Sequence, residues 1–261
     1  MMKFFLKKFV ELTGNPIASS LLRNFSKSLA SKPLVRPFAR VFHLNEDEME
    51  RPLHSYNSIH DLFTRRLTNG SRPIDEQPDT IISPVDGVVQ TFGKISADNT
   101  FLIKEQLYKL DELLGDDNDK VVKRFEGGDY ILIYLSPSHY HRIHYPVNGE
   151  LSGRWALGEQ SFPVNALGEK YGEKPFSTNY RIITELITDF GRTALVKVGA
   201  LNINSIVLTN SNSKVTKGDE AGYFSFGSTV ILLFDEESQF IPEVSALQEI
   251  CMGQSIGRHG S

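Results

Sequence analysis

The sequence predicts an α+β fold, with N-terminal helices followed by a mostly antiparallel β core of β-sandwich or barrel-sandwich type. Two observations lead there. Helical spacing and helix caps are concentrated ahead of Arg66, whereas from Thr80 onward the apolar runs are short and separated by glycines and Asp/Asn turns. With 261 residues, 40% of them hydrophobic, the chain can bury a substantial core as one undivided unit.

Ala18 to Phe42 reads as one or two short helices interrupted near Pro33 and Pro37, because proline lacks the N–H that an inner helical turn needs. Ser58 to Arg66 reads as a helix with Ser58 as its N-cap and Asp61 three residues on. Strands are expected at Ile81-Ile82, Gly87 to Phe92, Tyr130 to Leu135, Gly149 to Trp155, Arg181 to Thr188, Thr193 to Val198, Ile203 to Thr209 and Ser228 to Phe234. Lys104 to Leu114 is expected as a helical insertion, followed by the solvated acidic loop Gly115-Asp116-Asp117-Asn118-Asp119. There is no internal repeat and no low-complexity segment.

The net charge of −4 hides an asymmetry. Up to His43 the chain carries Lys3, Lys7, Lys8, Arg23, Lys27, Lys32, Arg36 and Arg40 against Glu11 alone, about +7, which leaves the remainder near −11. Phe4, Phe5, Phe9 and Leu12 put much of their apolar surface on one helical side with lysines between them, which suits a helix lying among lipid headgroups; the other reading is a helix packed on its own domain. The stretch is too short and charged for a secretory signal, and without an 18-residue apolar run no transmembrane helix is expected. An anionic membrane surface is therefore the expected partner of residues 1–43. Nucleic acid is not, since the basic stretch carries no recognisable module and the acidic body would repel phosphate. The single cysteine, Cys251, excludes an internal disulfide and a cysteine-rich zinc site.

Three segments can supply a self-activating serine. Phe226-Gly227-Ser228-Thr229 sets a Gly-Ser pair just before an apolar strand, Ser83-Pro84-Val85-Asp86-Gly87 offers a carboxylate, and Tyr140-His141-Arg142-Ile143-His144 offers two imidazoles. Each has a plainer reading as a turn or hairpin. His141 and His144 point to opposite sides if their segment is a strand, and share a face able to ligate a metal if it is helical.

Taken together, these segments resemble the three signatures of phosphatidylserine decarboxylases, in family order. Further matches are Phe63-Thr64-Arg65-Arg66-Leu67 with Arg72-Pro73-Ile74-Asp75, Phe162-Pro163-Val164-Asn165, Val198-Gly199-Ala200 and Lys217-Gly218-Asp219-Glu220-Ala221-Gly222-Tyr223-Phe224, so the resemblance runs from about residue 35 to about 257. It implies a catalytic domain over residues 44–261 that cuts itself between Gly227 and Ser228, giving a β chain 1–227 and an α chain 228–261. His144, oriented by Asp86, would take the Ser228 proton, and Gly227 has the freedom a strained carbonyl needs. The resemblance further implies that Ser228 becomes a pyruvoyl group, with neither metal nor pyridoxal phosphate required. That group forms a Schiff base with phosphatidylserine and releases CO2 and phosphatidylethanolamine. His141, an imidazole expected to titrate near neutrality, is the implied proton donor, and Phe162 and Asn165 are the implied substrate contacts. The implied location is peripheral, on the cytoplasmic face of the cell membrane, with the two chains of one precursor held together and a homodimer left open.

Three residues depart from the family pattern beside the chemistry. Phe226 stands where many members carry Leu, His139 where many carry Asp, and Tyr180 separates Asn179 from Arg181 where Glu is usual. The rival readings are a zinc hydrolase using His141 and His144, a lipoyl-type binding module around Val215 to Glu220, and an ordinary serine hydrolase.

Overall fold

The computed structural model describes residues 16–103, 106–115, 119–160, 174–200, 205–225 and 228–260. The helices come first. α1 (Pro16–Lys27), a 3-10 turn (Leu29–Leu34) and α2 (Val35–Val41) are followed by α3 (Ile59–Phe63). Pro33 lies in the 3-10 turn, and Pro37 is tolerated in the first turn of α2, where backbone N–H groups have no helical acceptor. Ser58 caps α3, its hydroxyl accepting the Asp61 N–H at 3.0 Å. Val35, Phe38, Met49, Tyr56, Ile59, Leu62 and Phe63 bury one another, so the helices on both sides of residue 43 share one apolar cluster.

The remainder is an antiparallel sandwich. Its strands are β1 (Thr80–Ile82), β2 (Gly87–Lys94), β3 (Thr100–Ile103), β4 (Gln106–Lys109), β5 (Asp129–Leu135), β6 (Arg142–His144), β7 (Gly149–Leu157) and β8 (Arg181–Thr188). They continue with β9 (Gly191–Gly199), β10 (Ile206–Leu208), β11 (Lys214–Val215), β12 (Glu220–Phe224), β13 (Ser228–Phe234), β14 (Phe240–Pro242), β15 (Glu249–Ile250) and β16 (Ser255–His259). Eight of them form one sheet in the order β11-β7-β8-β9-β13-β5-β2-β15. This sheet has open edges, so the body is a sandwich and not a closed barrel.

Two three-stranded sheets, β10-β12-β6 and β1-β16-β14, cover one face of the large sheet. Val230, Leu232, Leu195, Ile133, Ile143, Phe224 and Ile256 meet between these layers. The opposite face carries Ile231, Leu233, Val196 and Leu132. It is covered by the hairpin β3–β4 and the short helices α4 (Leu110–Leu114), α5 (Asp119–Phe125) and α6 (Pro175–Thr178). Because both faces are covered, every residue of β13 is buried, and from Val230 to Phe234 its sequence is an unbroken apolar run where a half-exposed strand would alternate.

The helix expected over Lys104 to Leu114 is corrected by the structure. Gln106–Lys109 pairs with Thr100–Ile103, and only Leu110–Leu114 is helical. Leu107 and Lys109 face out while Tyr108 is buried, which is the period of a strand. Residues 116–118 of the acidic loop lie outside the described residues, and Asp119 opens α5. Of the strand expected over Ile203 to Thr209, Ile206–Leu208 is formed.

Candidate active site

Ser228 is the first residue of β13, paired with Leu135 on one side and Gly199 on the other. It is 0% exposed, and its hydroxyl has no hydrogen-bond partner. Gly227, Phe162 and Asn165 lie outside the described residues, as does Met1 to Leu12.

Asp86 sits in the turn between β1 and β2. Gly87, which follows it, is required there, since a Cβ would lie 2.6 Å from both the Ile133 side chain and the Tyr134 carbonyl. The Asp86 carboxylate is held on three sides. Oδ1 accepts from Arg72 Nε at 2.8 Å and the Met252 N–H at 2.9 Å, and Oδ2 accepts from Arg72 Nη2 at 2.6 Å. Arg72 also reaches Glu48 at 3.0 Å, and the Asp86 hydrogen bonds hold its guanidinium above its ordinary range.

His144 is tied to the same turn through its backbone, its N–H donating to the Pro84 carbonyl at 2.8 Å. A carbonyl only accepts, so the 2.7 Å contact between Nδ1 and Gly218 O places the ring proton on Nδ1. Nε2 is then an acceptor, and the Tyr140 hydroxyl donates to it at 3.2 Å. Burial pushes the imidazole below its usual range, against upward pulls from Gly218, Glu220 and, last, Asp86. Asp86 and His144 thus share a backbone tie, while Arg72 holds the carboxylate and Gly218 sets the imidazole tautomer. Tyr140 itself is pushed up to about 12, chiefly by burial, so it stays a donor. It also lines a polar surface cleft of ≈ 590 Å³ with Glu50, Arg66, Asn69 and Glu220.

His141 is fully buried. Its Nδ1–H donates to the His139 carbonyl at 2.9 Å, while Nε2 has no partner. Arg65 donates to the Ser138 and His139 carbonyls at 2.8 and 3.1 Å, which places a cation beside this segment. The sequence suggests an imidazole titrating near neutrality. Burial first, then the Arg65 and His139 charges, push His141 well below that range. His139 turns its Nδ1 to the Ser136 N–H at 2.9 Å and is also lowered by burial. Among the described residues no group of three or more His, Cys, Asp or Glu side chains is placed to hold a metal ion.

Sequence reading gave no role to Arg72, Tyr140 or Gly218. All three lie inside the matching segments, but Arg72 and Gly218 meet their partners only through the fold, and Tyr140 reaches His144, four residues on, only through the local turn ahead of β6.

Ser228, with an unpartnered hydroxyl at the head of a central strand, and the buried imidazoles of the layer packed on that strand's sheet are the residue types that hydroxyl-centred covalent chemistry uses. The phosphatidylserine decarboxylase family profile matches residues 59–258. The phosphatidylserine decarboxylase proenzyme of Halalkalibacterium halodurans is 46% identical over 257 residues, 98% of each chain. That of Anoxybacillus flavithermus is 45% identical over 262 residues, covering 98% of this chain and 97% of its own. A Geobacillus proenzyme is 42% identical over 258 residues, covering 98% and 99%. The chain belongs to the phosphatidylserine decarboxylase family.

Proposed function

We propose that the chain is a precursor that cuts its own backbone between Gly227 and Ser228 and, once cut, converts phosphatidylserine to phosphatidylethanolamine and CO2. The observation that carries this reading is the Ser228 hydroxyl, fully buried at the head of β13 without a hydrogen-bond partner, next to the bond to be cut. Turning Ser228 into a pyruvoyl group removes that unsatisfied donor, so the site fits the group. When formed, it supplies the electron sink that a decarboxylation needs.

The side chains divide the proton work. His144 keeps a lone pair on Nε2 because Gly218 fixes the proton on Nδ1, and its lowered affinity for protons leaves it neutral and able to take the Ser228 proton. Asp86, clamped by Arg72 and the Met252 N–H, anchors the turn from which His144 hangs and adds negative potential to that imidazole. His141 has its free lone pair on Nε2. An entering lipid carboxylate offsets its desolvation, so it gains a proton there and returns it to the carbon that has lost CO2.

The polar cleft beside Tyr140, which carries both Arg66 and Glu220, suits a headgroup bearing charges of both signs, with Phe162 and Asn165 as further contacts. Met1 to Leu12 would seat the enzyme peripherally on the anionic cytoplasmic face of the cell membrane. No helix among the described residues is long and apolar enough to cross one.

Mass measurement under denaturing conditions tests the reading. Two pieces split before Ser228 are expected, the smaller blocked to Edman degradation, and Ser228→Ala should remain one chain. An active preparation in which the chain stays whole would overturn it.

A further inference from the structure

Gly199 stands opposite Ser228 in the ladder between β9 and β13. Directly opposed residues of an antiparallel pair turn their side chains to one face, with Cβ atoms about 4.5–5.5 Å apart. Position 199 has no side chain, and another residue uses the space: a Cβ built on Gly199 would collide with the Ser205 hydroxyl. Glycine therefore lets Ser205 Oγ sit across from Ser228, on the sheet face to which Val230 and Leu232 also turn.

Backbone bonds hold Ser205 there. Its carbonyl accepts the Ser225 N–H at 2.6 Å, just past the end of β12, and the next residue begins β10. Ser205 is 1% exposed, and its hydroxyl, like that of Ser228, has no hydrogen-bond partner. In the uncut chain the two hydroxyls do not bond one another. A buried donor facing the reaction centre without an acceptor is available to an oxygen formed there later.

We propose that Ser205 is a further catalytic residue, whose O–H donates a hydrogen bond to the carbonyl oxygen that residue 228 acquires on maturation. The inference rests on the reading above, in which Ser228 becomes a pyruvoyl group. A donor on that oxygen draws electron density from the keto carbon. As the lipid amine adds, its nitrogen bonds the carbon, the π pair moves to the oxygen, and Ser205 stabilises the charge while keeping its own proton.

The test is isotope-edited infrared spectroscopy of the cut enzyme, with 13C carried into the keto carbon from the serine α-carbon, beside kinetics on phosphatidylserine vesicles. Ser205→Ala should still cut, shift the keto band to higher frequency and lower kcat/KM about 10²-fold. Ser205→Cys, which keeps a weaker donor, should fall between Ser205→Ala and wild type on both readings, and it carries the test if Ser205→Ala does not fold. A cut variant lacking the hydroxyl whose band does not move overturns the proposal. So does a folded Ser205→Ala that stays uncut, since the hydroxyl would then act on the peptide bond. A wild-type enzyme with no keto band sinks the underlying reading, whereas a wild-type band indifferent to position 205 sinks only the role of Ser205.

Discussion

The imidazole of His141 lies against the ring of Phe63, with centroids 3.7 Å apart and an interplanar angle of 34°. Phe63 ends α3 and belongs to the apolar cluster of the N-terminal helices, so that cluster supplies one wall of the histidine's dry environment. Phe63→Leu thins the wall and should move the His141 titration upward, toward the ordinary imidazole value of about 6.5. NMR titration of the histidine rings reads this directly; an unmoved His141 resonance would assign its low proton affinity to Arg65 instead.

The two histidines should fail at different stages. His144→Ala should accumulate as uncut precursor. His141→Ala should cut yet lose about 10²–10⁴ in turnover, the usual worth of general acid–base help. A gel for cleavage run beside a product assay separates the outcomes, and full turnover by cut His141→Ala would remove it from the mechanism.

Tyr140→Phe removes the hydroxyl that occupies the His144 lone pair. Freed of a hydrogen bond worth about 1 kcal/mol, the base should cut the chain about fivefold faster. Following precursor loss after in vitro synthesis measures it, and slower cutting would recast Tyr140 as a required relay.

Acid should act on the fold before it acts on the base. Burial, with Lys27 adding to it, pushes His60 down to about 4, and His144 is lowered as well. For such a group the unfolded chain binds more protons than the folded one at any pH between the two values. Stability is therefore whole above about 6.5 and falls as the pH drops toward about 4. Urea midpoints should decline over that interval and decline less in His60→Gln. Self-cleavage at pH 6.5 should match that at pH 7.5, because His144 is still neutral; a half-lost rate at pH 6.5 would contradict its lowered value.

Deleting Met1 to Leu12 should weaken binding to anionic vesicles and spare self-cleavage, and salt should weaken binding by the full-length protein. Co-sedimentation gives the answer, with equal binding by both forms returning this segment to a packing role.

Local signals made much of this molecule legible. Ser58 and Asp61 announced a capped helix, and Arg181 to Thr188 and Ser228 to Phe234 read as strands to the residue. Gln106 to Lys109 misled because four residues before a helical Leu-Asp-Glu-Leu-Leu are too few to reveal their own period. Asp86, His144, His141 and Ser228 were visible through family resemblance. Arg72 and Ser205 were not, since one is defined by a carboxylate fourteen residues away and the other by the missing side chain of Gly199. Such pairings are properties of the fold and leave no periodic trace in the chain.

The position of β13 has a consequence for the matured protein. Its seven residues are laddered to β5 on one side and β9 on the other, and beyond it β15 pairs with β2 and β16 with β1. A cut before Ser228 would therefore yield complementing fragments, the shorter one threaded through the middle of the longer. Neither could reach its fold without the other, and with one cysteine in the whole sequence no covalent tie would join them. Dissociation and global unfolding would be a single event, with one melting transition for two polypeptides and a midpoint that falls on dilution.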